Sequence, residues 1–257
     1  MPQPGRKKMN WKLITIGILL EILVFGTLII LLSGCAKSAE EVGATSGNIS
    51  SLPVTVSALV EHAEYCKVIY DSGGTEVDNL AYEVKTVSGI TIIVIRGTAN
   101  TTNVLSDIDI RMIKDDVLDI YLHKGFRDAS TTIIQEVDKY YQLEHTVHVT
   151  GHSLGGAIAQ IIGMWLHKRG HNVQVFSYGS PKVSSQVLVS GQPTHWRVVR
   201  LSDPIPFTPM WPYAHTGVFV NSQTLDWGPD NDNGLISQTD GLDHSISKYV
   251  TTLKEQL

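Results

Sequence analysis

His148-Val149-Thr150-Gly151-His152-Ser153-Leu154-Gly155-Gly156-Ala157 is the stretch from which the fold is read. It carries G-x-S-x-G between a strand-like run and a helix-like run. Val147 and Val149 read as a short buried strand. Beyond Ser153, apolar residues recur at Leu154, Ala157, Ile158, Ile161, Ile162, Trp165 and Leu166. That i, i+3, i+4, i+7 spacing is one buried face of a helix. Gly151 and Gly155 leave room for a sharp bend and a close strand–helix approach. A serine on such a turn has its hydroxyl pushed out at the sheet edge, with the free N–H groups of the helix start beside it. The motif alone also fits a glycine-rich turn that merely joins two elements. With both flanks in place and Gly156 added, it reads as a nucleophile elbow.

Upstream of the elbow, Val56, Leu59, Val60, Ala63 and Cys66 share one helical face, and Asp71-Ser72-Gly73-Gly74 ends that helix. Leu80 to Thr86 and Ile90 to Ile95 are expected to be strands around a turn at Ser88-Gly89, the second a β-branched run suited to burial on both faces. Arg96-Gly97-Thr98 follows, at the strand end where α/β sheets place their sites. Thr101 to Asp109 fits either a short amphipathic helix or a surface turn. Ile110 to Leu122 suggests further strand broken at Lys114-Asp115-Asp116. His123-Lys124-Gly125-Phe126 opens a long helix with Ile133, Ile134, Val137, Tyr140 and Tyr141 expected inward.

Downstream, Val173 to Tyr178 and Trp196 to Leu201 are expected strands, closed by Gly179-Ser180-Pro181 and Asp203-Pro204. His215 to Val220 is expected as a last, antiparallel strand. Leu225 to Leu242 reads as a long loop; its Asp230-Asn231-Asp232-Asn233-Gly234 fails the EF-hand spacing. A final helix from His244 presents Ile246, Tyr249, Val250, Leu253 and Leu257 on one face. Strands alternating with helices imply an α/β sheet domain over residues 51–257.

The chain has 257 residues and a net charge of −5. No basic block lies outside the N-terminus, so nucleic-acid binding has no electrostatic support. Arg6, Lys7, Lys8 and Lys12 precede an apolar run from Leu13 to Leu32, which ends at Leu32-Ser33-Gly34-Cys35. Positive flank, apolar stretch and small residues make residues 1–34 a secretory signal. Glu21 in its middle is costly for a permanent span. Leu-Ser-Gly-Cys resembles the bacterial lipobox, and the resemblance implies cleavage before Cys35 and its lipidation. Ala36, not Asp, follows, a pattern that in proteobacterial lipoproteins implies outer-membrane sorting. Residues 35–50 are small and polar and read as a flexible tether. Cys66 would then be the one free thiol, packing as a small apolar group.

A serine nucleophile needs a base within reach, and the base needs a carboxylate to fix its tautomer. After Ser153 the acids include Asp203, Asp226, Asp230, Asp232, Asp240 and Asp243. Asp203 stands out because it follows Arg197-Val198-Val199-Arg200-Leu201 and precedes the stiff Pro204 and Pro206. The later histidines are His244, at a loop-to-helix junction, and His215, at a strand start. His244 is the preferred base and His215 the alternative. His167, His171 and His195 read as surface residues.

From about Leu52 onward the chain resembles a class 3, or fungal-type, triacylglycerol lipase. Four motifs carry the likeness in order: Val94-Ile95-Arg96-Gly97-Thr98, Gly151-His152-Ser153-Leu154-Gly155-Gly156, Leu201-Ser202-Asp203-Pro204-Ile205-Pro206, and Asp243-His244-Ser245-Ile246 followed by Tyr249. The resemblance implies an α/β-hydrolase fold with a mostly parallel sheet and a Ser153–Asp203–His244 triad. It implies an oxyanion hole from Thr98 and the backbone of Leu154, with Asp107 orienting the threonine hydroxyl. It also implies a short lid at Thr101 to Ser106, in which Val104 stands where the family often has tryptophan. The expected activity is hydrolysis of an acyl-ester lipid, with no metal or organic cofactor, by an envelope protein held on the membrane through Cys35. A phospholipase A1, a short-chain carboxylesterase and a non-catalytic envelope lipoprotein are the alternatives.

Overall fold

The computed structural model describes residues 52–98, 109, 111–185, 192–210, 212–228 and 244–257. Helix α1 (Val56–Ser72) begins at Thr55, whose side chain caps the Ala58 N–H, and ends at Gly73 with φ 85°. Three strands follow, β1 (Thr75–Val77), β2 (Leu80–Val87) and β3 (Ile90–Ile95). A hairpin, β4 (Met112–Asp115) and β5 (Ile120–His123), leads into α2 (Lys124–Tyr140). The elbow joins β6 (Thr146–His152) to α3 (Leu154–Lys168). After it come β7 (Asn172–Tyr178), β8 (Thr194–Val199), a 3-10 turn at Ile205–Phe207, β9 (Val218–Asn221), β10 (Trp227–Gly228) and α4 (Ile246–Lys254).

Among the described residues the main sheet runs β1-β2-β3-β6-β7-β8-β9-β10. The five strands from β3 to β9 are mutually parallel; β1, β2 and β10 pair antiparallel at the two edges. One face carries α1 and α4, whose Leu59, Val60, Ala63, Tyr249, Val250 and Leu253 pack with Phe176, Tyr178, Val198 and Val220. The other carries α2 and α3, where Ile133, Val137, Ile158 and Ile162 pack with Ile93, Val147 and Val175. Parallel strands buried on both faces read as continuous β-branched runs, as β3 does. Because β3, β6, β7 and β8 point the same way, Gly97, Ser153, Gly179 and Asp203 all lie beyond the same end of the sheet.

Several expectations change. Strand β9 pairs parallel with β8, not antiparallel, in the register Trp196↔Val218. The chain leaves β8, turns through Asp203 and the 3-10 turn, and returns to the start of the sheet before β9 begins. The strand expected over 110–122, with its break at the charged turn, is the hairpin β4–β5, which forms a two-stranded sheet of its own. Helix α3 is buried from Leu154 to Leu166 on all sides, because β6 and β7 cover one side and α2 the other. Tyr140 and Leu257, expected inward, are 61% and 72% exposed: Tyr140 is the last residue of α2, and Leu257 lies three residues beyond the end of α4. Among the described residues no helix is long and apolar enough to cross a membrane. The expected signal and tether, the lid at 101–106, Cys35, Asp107, Asp243 and the loop at 230–234 lie outside the described residues.

Candidate active site

Ser153 caps α3 with φ 58° and ψ −129°, a conformation that L side chains seldom adopt. The turn holds because neighbouring backbones leave no room for anything larger than glycine. A Cβ on Gly151 would sit 2.2 Å from the Gly155 carbonyl oxygen, and one on Gly155 would sit 2.2 Å from that of Ile95. The Ser153 N–H donates to the Tyr178 carbonyl at 3.0 Å, which ties the turn to β7. Ser153 stands just beyond the end of β6, at the sheet edge as expected, and is 1% exposed. Gly97 closes over it: a Cβ there would lie 3.1 Å from the serine Cβ and 2.6 Å from the His152 carbonyl.

Asp203 is fully buried in the turn after β8, with its N–H on the Arg200 carbonyl at 3.0 Å. Its Oδ1 accepts the Ile205 N–H at 2.9 Å. Its Oδ2 accepts the Tyr249 hydroxyl at 2.7 Å and lies 2.8 Å from His244 Nδ1. With Nδ1 donating to the carboxylate, the lone pair of His244 is on Nε2. Among the described residues that Nε2 is buried and has no hydrogen-bond partner. His244 stands just before α4, which starts at Ser245 with its side chain accepting the Ser247 N–H. Gly179, at φ 56°, makes space for this pair: a Cβ would fall 2.7 Å from Asp203 Oδ2 and 3.1 Å from His244 Cε1. The His152 and His244 rings, 4.6 Å apart between centroids, bring the base beside the nucleophile turn.

Leu154 opens α3, so its N–H is one of the first four that find no partner within the helix. Thr98 follows Gly97 directly and is half-buried. Arg96 anchors this strand end, donating to the Gly73 carbonyl at 3.1 Å and to Glu76 at 3.2 Å. Among the described residues no group of three or more His, Cys, Asp and Glu side chains could hold a metal ion.

His215, the alternative base, is buried and donates Nε2–H to the Pro206 carbonyl at 2.5 Å. It is a strut beneath the loop that carries Asp203. Burial, with Arg197 and Lys182 nearby, pushes its pKa well below the usual histidine value. His195, read as a surface residue, is buried: Nε2 meets Ser177 Oγ at 2.8 Å and Nδ1 meets Thr216 Oγ1 at 3.3 Å. Burial pushes it down to about 3. Cys66 is buried, its Sγ 3.3 Å from Thr150 Oγ1, and burial pushes the thiol up to about 12. Sequence reasoning missed three contributors: Gly179 as the space beside the acid, and Tyr70 and His152 behind the base. The glycine in Gly179-Ser180-Pro181 was the one local signal.

Residues 92–213 match the family model of the class 3 lipases. A secreted mono- and diacylglycerol lipase of Fusarium solani is 28% identical over 160 residues, 57% of this chain and 47% of that protein. A lipase of Rhizopus niveus is 28% identical over 185 residues, covering 59% of this chain and 46% of its own. The chain therefore spans about half the length of these curated relatives. Among solved structures, a triacylglyceride lipase of Rhizomucor miehei superposes with a TM-score of 0.60 at 19% identity, over 79% of this chain and 96% of its own. A triacylglycerol lipase of Penicillium expansum gives 0.56 at 17% identity, over 77% and 97%. The shared architecture is the α/β-hydrolase fold, with its mostly parallel sheet flanked by helices.

The lipase-like core buries uncharged histidines, and this has a consequence for pH. His62, beside His148 Nδ1 at 3.1 Å and stacked on Phe176, is pushed down to about 3 by burial first and His148 second, as His195 is by its own burial. Both folded values lie below the unfolded value near 6.5, so the unfolded chain binds more protons as pH falls. Their contribution is fully present above pH 6.5 and is lost progressively toward pH 3, by up to about 1.4 kcal/mol per pH unit for each group. Urea midpoints measured from pH 7.5 to 4.5 should fall steadily, and His195→Gln should flatten the slope. An unchanged slope in that variant would show that His195 does not titrate on unfolding.

Proposed function

We propose that the protein is a membrane-tethered serine ester hydrolase with acylglycerols as its substrates. The observation that carries this reading is the Asp203–His244 pair at 2.8 Å, with an imidazole Nε2 that has no partner among the described residues, beside a strained serine turn. A binding module needs none of the three. One structural relative is a triacylglycerol lipase whose catalytic centre is formed by a serine protease triad, which supports the same roles here.

In this reading His244 Nε2 takes the Ser153 proton as Oγ attacks the ester carbonyl. Asp203 holds the imidazolium that forms. The N–H groups of Leu154 and Thr98, with the Thr98 hydroxyl oriented by Asp107, stabilise the oxyanion. Collapse of the tetrahedral intermediate breaks the ester C–O bond, and His244 returns its proton to the leaving alcohol. Water, deprotonated by the same nitrogen, then releases the acid and restores the Ser153 hydroxyl. No step calls for a metal or organic cofactor.

Ser153→Ala should fold normally and lose about 10⁴–10⁶-fold in turnover. Tributyrin, triolein, phosphatidylcholine and p-nitrophenyl acetate assayed side by side should give the highest kcat/KM on a glyceride. Preference for phosphatidylcholine would assign a phospholipase, and preference for the acetate a short-chain esterase. Full turnover by folded Ser153→Ala would remove the serine from its role.

Tethering through Cys35 is supported by Leu32-Ser33-Gly34-Cys35 and the positive flank before it. A lipidated cysteine at the head of a 16-residue polar tether would hold the hydrolase at a bilayer, where acyl esters reside. Expressed in a bacterium, the protein should partition into detergent with the membranes and incorporate labelled palmitate. Cys35→Ser should abolish the label and leave the precursor uncleaved; label retained in that variant would refute lipidation at Cys35.

A further inference from the structure

His244 is held to Asp203 by one ring nitrogen. A single hydrogen bond pins one corner of an imidazole and leaves its plane free to pivot. The plane decides where Nε2 points, so a second constraint is needed for proton transfer to Ser153. The ring of His152 supplies a flat surface for it, with centroids 4.6 Å apart and planes 30° from parallel. His152 is itself fixed. It is the last residue of β6, is 3% exposed, and has the edge of Tyr249 6.0 Å away and Tyr70 5.8 Å away between ring centroids. The Tyr70 hydroxyl lies 2.9 Å from His152 Nδ1. Gly97 packs against the same phenol oxygen: a Cβ there would lie 2.4 Å from it. A Tyr70 O–H that donates to Nδ1 puts the His152 proton on Nε2, which among the described residues is buried without a hydrogen-bond partner.

We propose that Tyr70 and His152 are positioning residues: the Tyr70 hydroxyl locks the His152 imidazole in one tautomer and plane, and that imidazole fixes the plane of His244. The pair reaches from α1, through the end of β6, to the base, and it also abuts the Gly97–Thr98 turn. The proposal rests on His244 acting as the base. The titratable groups facing His152 are Tyr70 from α1, and His244 and Tyr249 from the α4 segment; burial keeps both phenols protonated, with pKa values above the usual tyrosine range. Burial likewise holds His152 uncharged, its pKa well below the usual value. An uncharged plate does not repel the imidazolium that forms against it. A protonated one would.

The test is long-range proton–nitrogen NMR on the full chain labelled with ¹⁵N-histidine, together with steady-state kinetics on a soluble p-nitrophenyl ester. In the wild type, His152 should be the Nε2–H tautomer and should not titrate between pH 5 and 9. Tyr70→Phe removes one oxygen and keeps the ring. It should mix the His152 tautomers, broaden the downfield Nδ1–H resonance of His244, and lower kcat about tenfold with KM unchanged. A His152 that titrates in that range, an Nδ1–H tautomer in the wild type, or a Tyr70→Phe variant with an unaltered His244 resonance would overturn the proposal. The NMR readouts need no turnover. An absence of ester hydrolysis by the wild type would sink the hydrolase reading, while the resonances would still decide whether Tyr70 and His152 hold His244.

Discussion

Three backbone segments meet at Ser153 with no space for a Cβ between them. Gly155 abuts the Ile95 carbonyl, Gly151 abuts Gly155, and Gly97 abuts the His152 carbonyl. The end of β3, the end of β6 and the start of α3 are therefore joined as one unit. The positive φ of Ser153 costs on the order of 1–3 kcal/mol. Burial of α3 offsets it, since each fully buried Leu or Ile contributes about 1.5–3 kcal/mol. The strained serine persists because the helix behind it is too deeply packed to relax.

Around that turn the polar groups are arranged by type. Asp203 receives hydrogen bonds from the Ile205 N–H and the Tyr249 hydroxyl, and faces His244 Nδ1. The surrounding histidines, His152, His195 and His215, are buried and held uncharged. They tie strand ends and loops together: His195 bridges Ser177 and Thr216, and His215 props the Pro206 carbonyl. Among the described residues, His244 is the imidazole at this end of the sheet that is hydrogen-bonded to a carboxylate.

What the sequence made legible was local. Glycine spacing around Ser153, the β-branched run of β3 and the 3.6-residue period of α2 each report their own surroundings. The order of Ser153, Asp203 and His244 followed from the chemistry and from the four motifs. Direction was not legible for β9, because a proline-rich segment can return a chain along either sense of a sheet. Nor was burial of His195: a polar residue at a strand start looks the same whether its partner is water or Ser177. Tyr70 was hidden for a different reason. It lies in α1, 82 residues before the imidazole it contacts, and only the packing of α1 over the strand ends brings them together. Tyr140 and Leu257 fit the apolar period, yet Tyr140 ends α2 and Leu257 lies beyond the end of α4, so neither faces the core.

The central claim is that this strained, buried serine is the nucleophile, activated by His244 and Asp203. The most direct measurement is to treat the protein with a fluorophosphonate and map the adduct by peptide mass spectrometry. One stoichiometric adduct is expected, on Ser153, whose formation is lost in His244→Ala while the variant stays folded. An adduct on another residue, or undiminished labelling of Ser153 in folded His244→Ala, would contradict it.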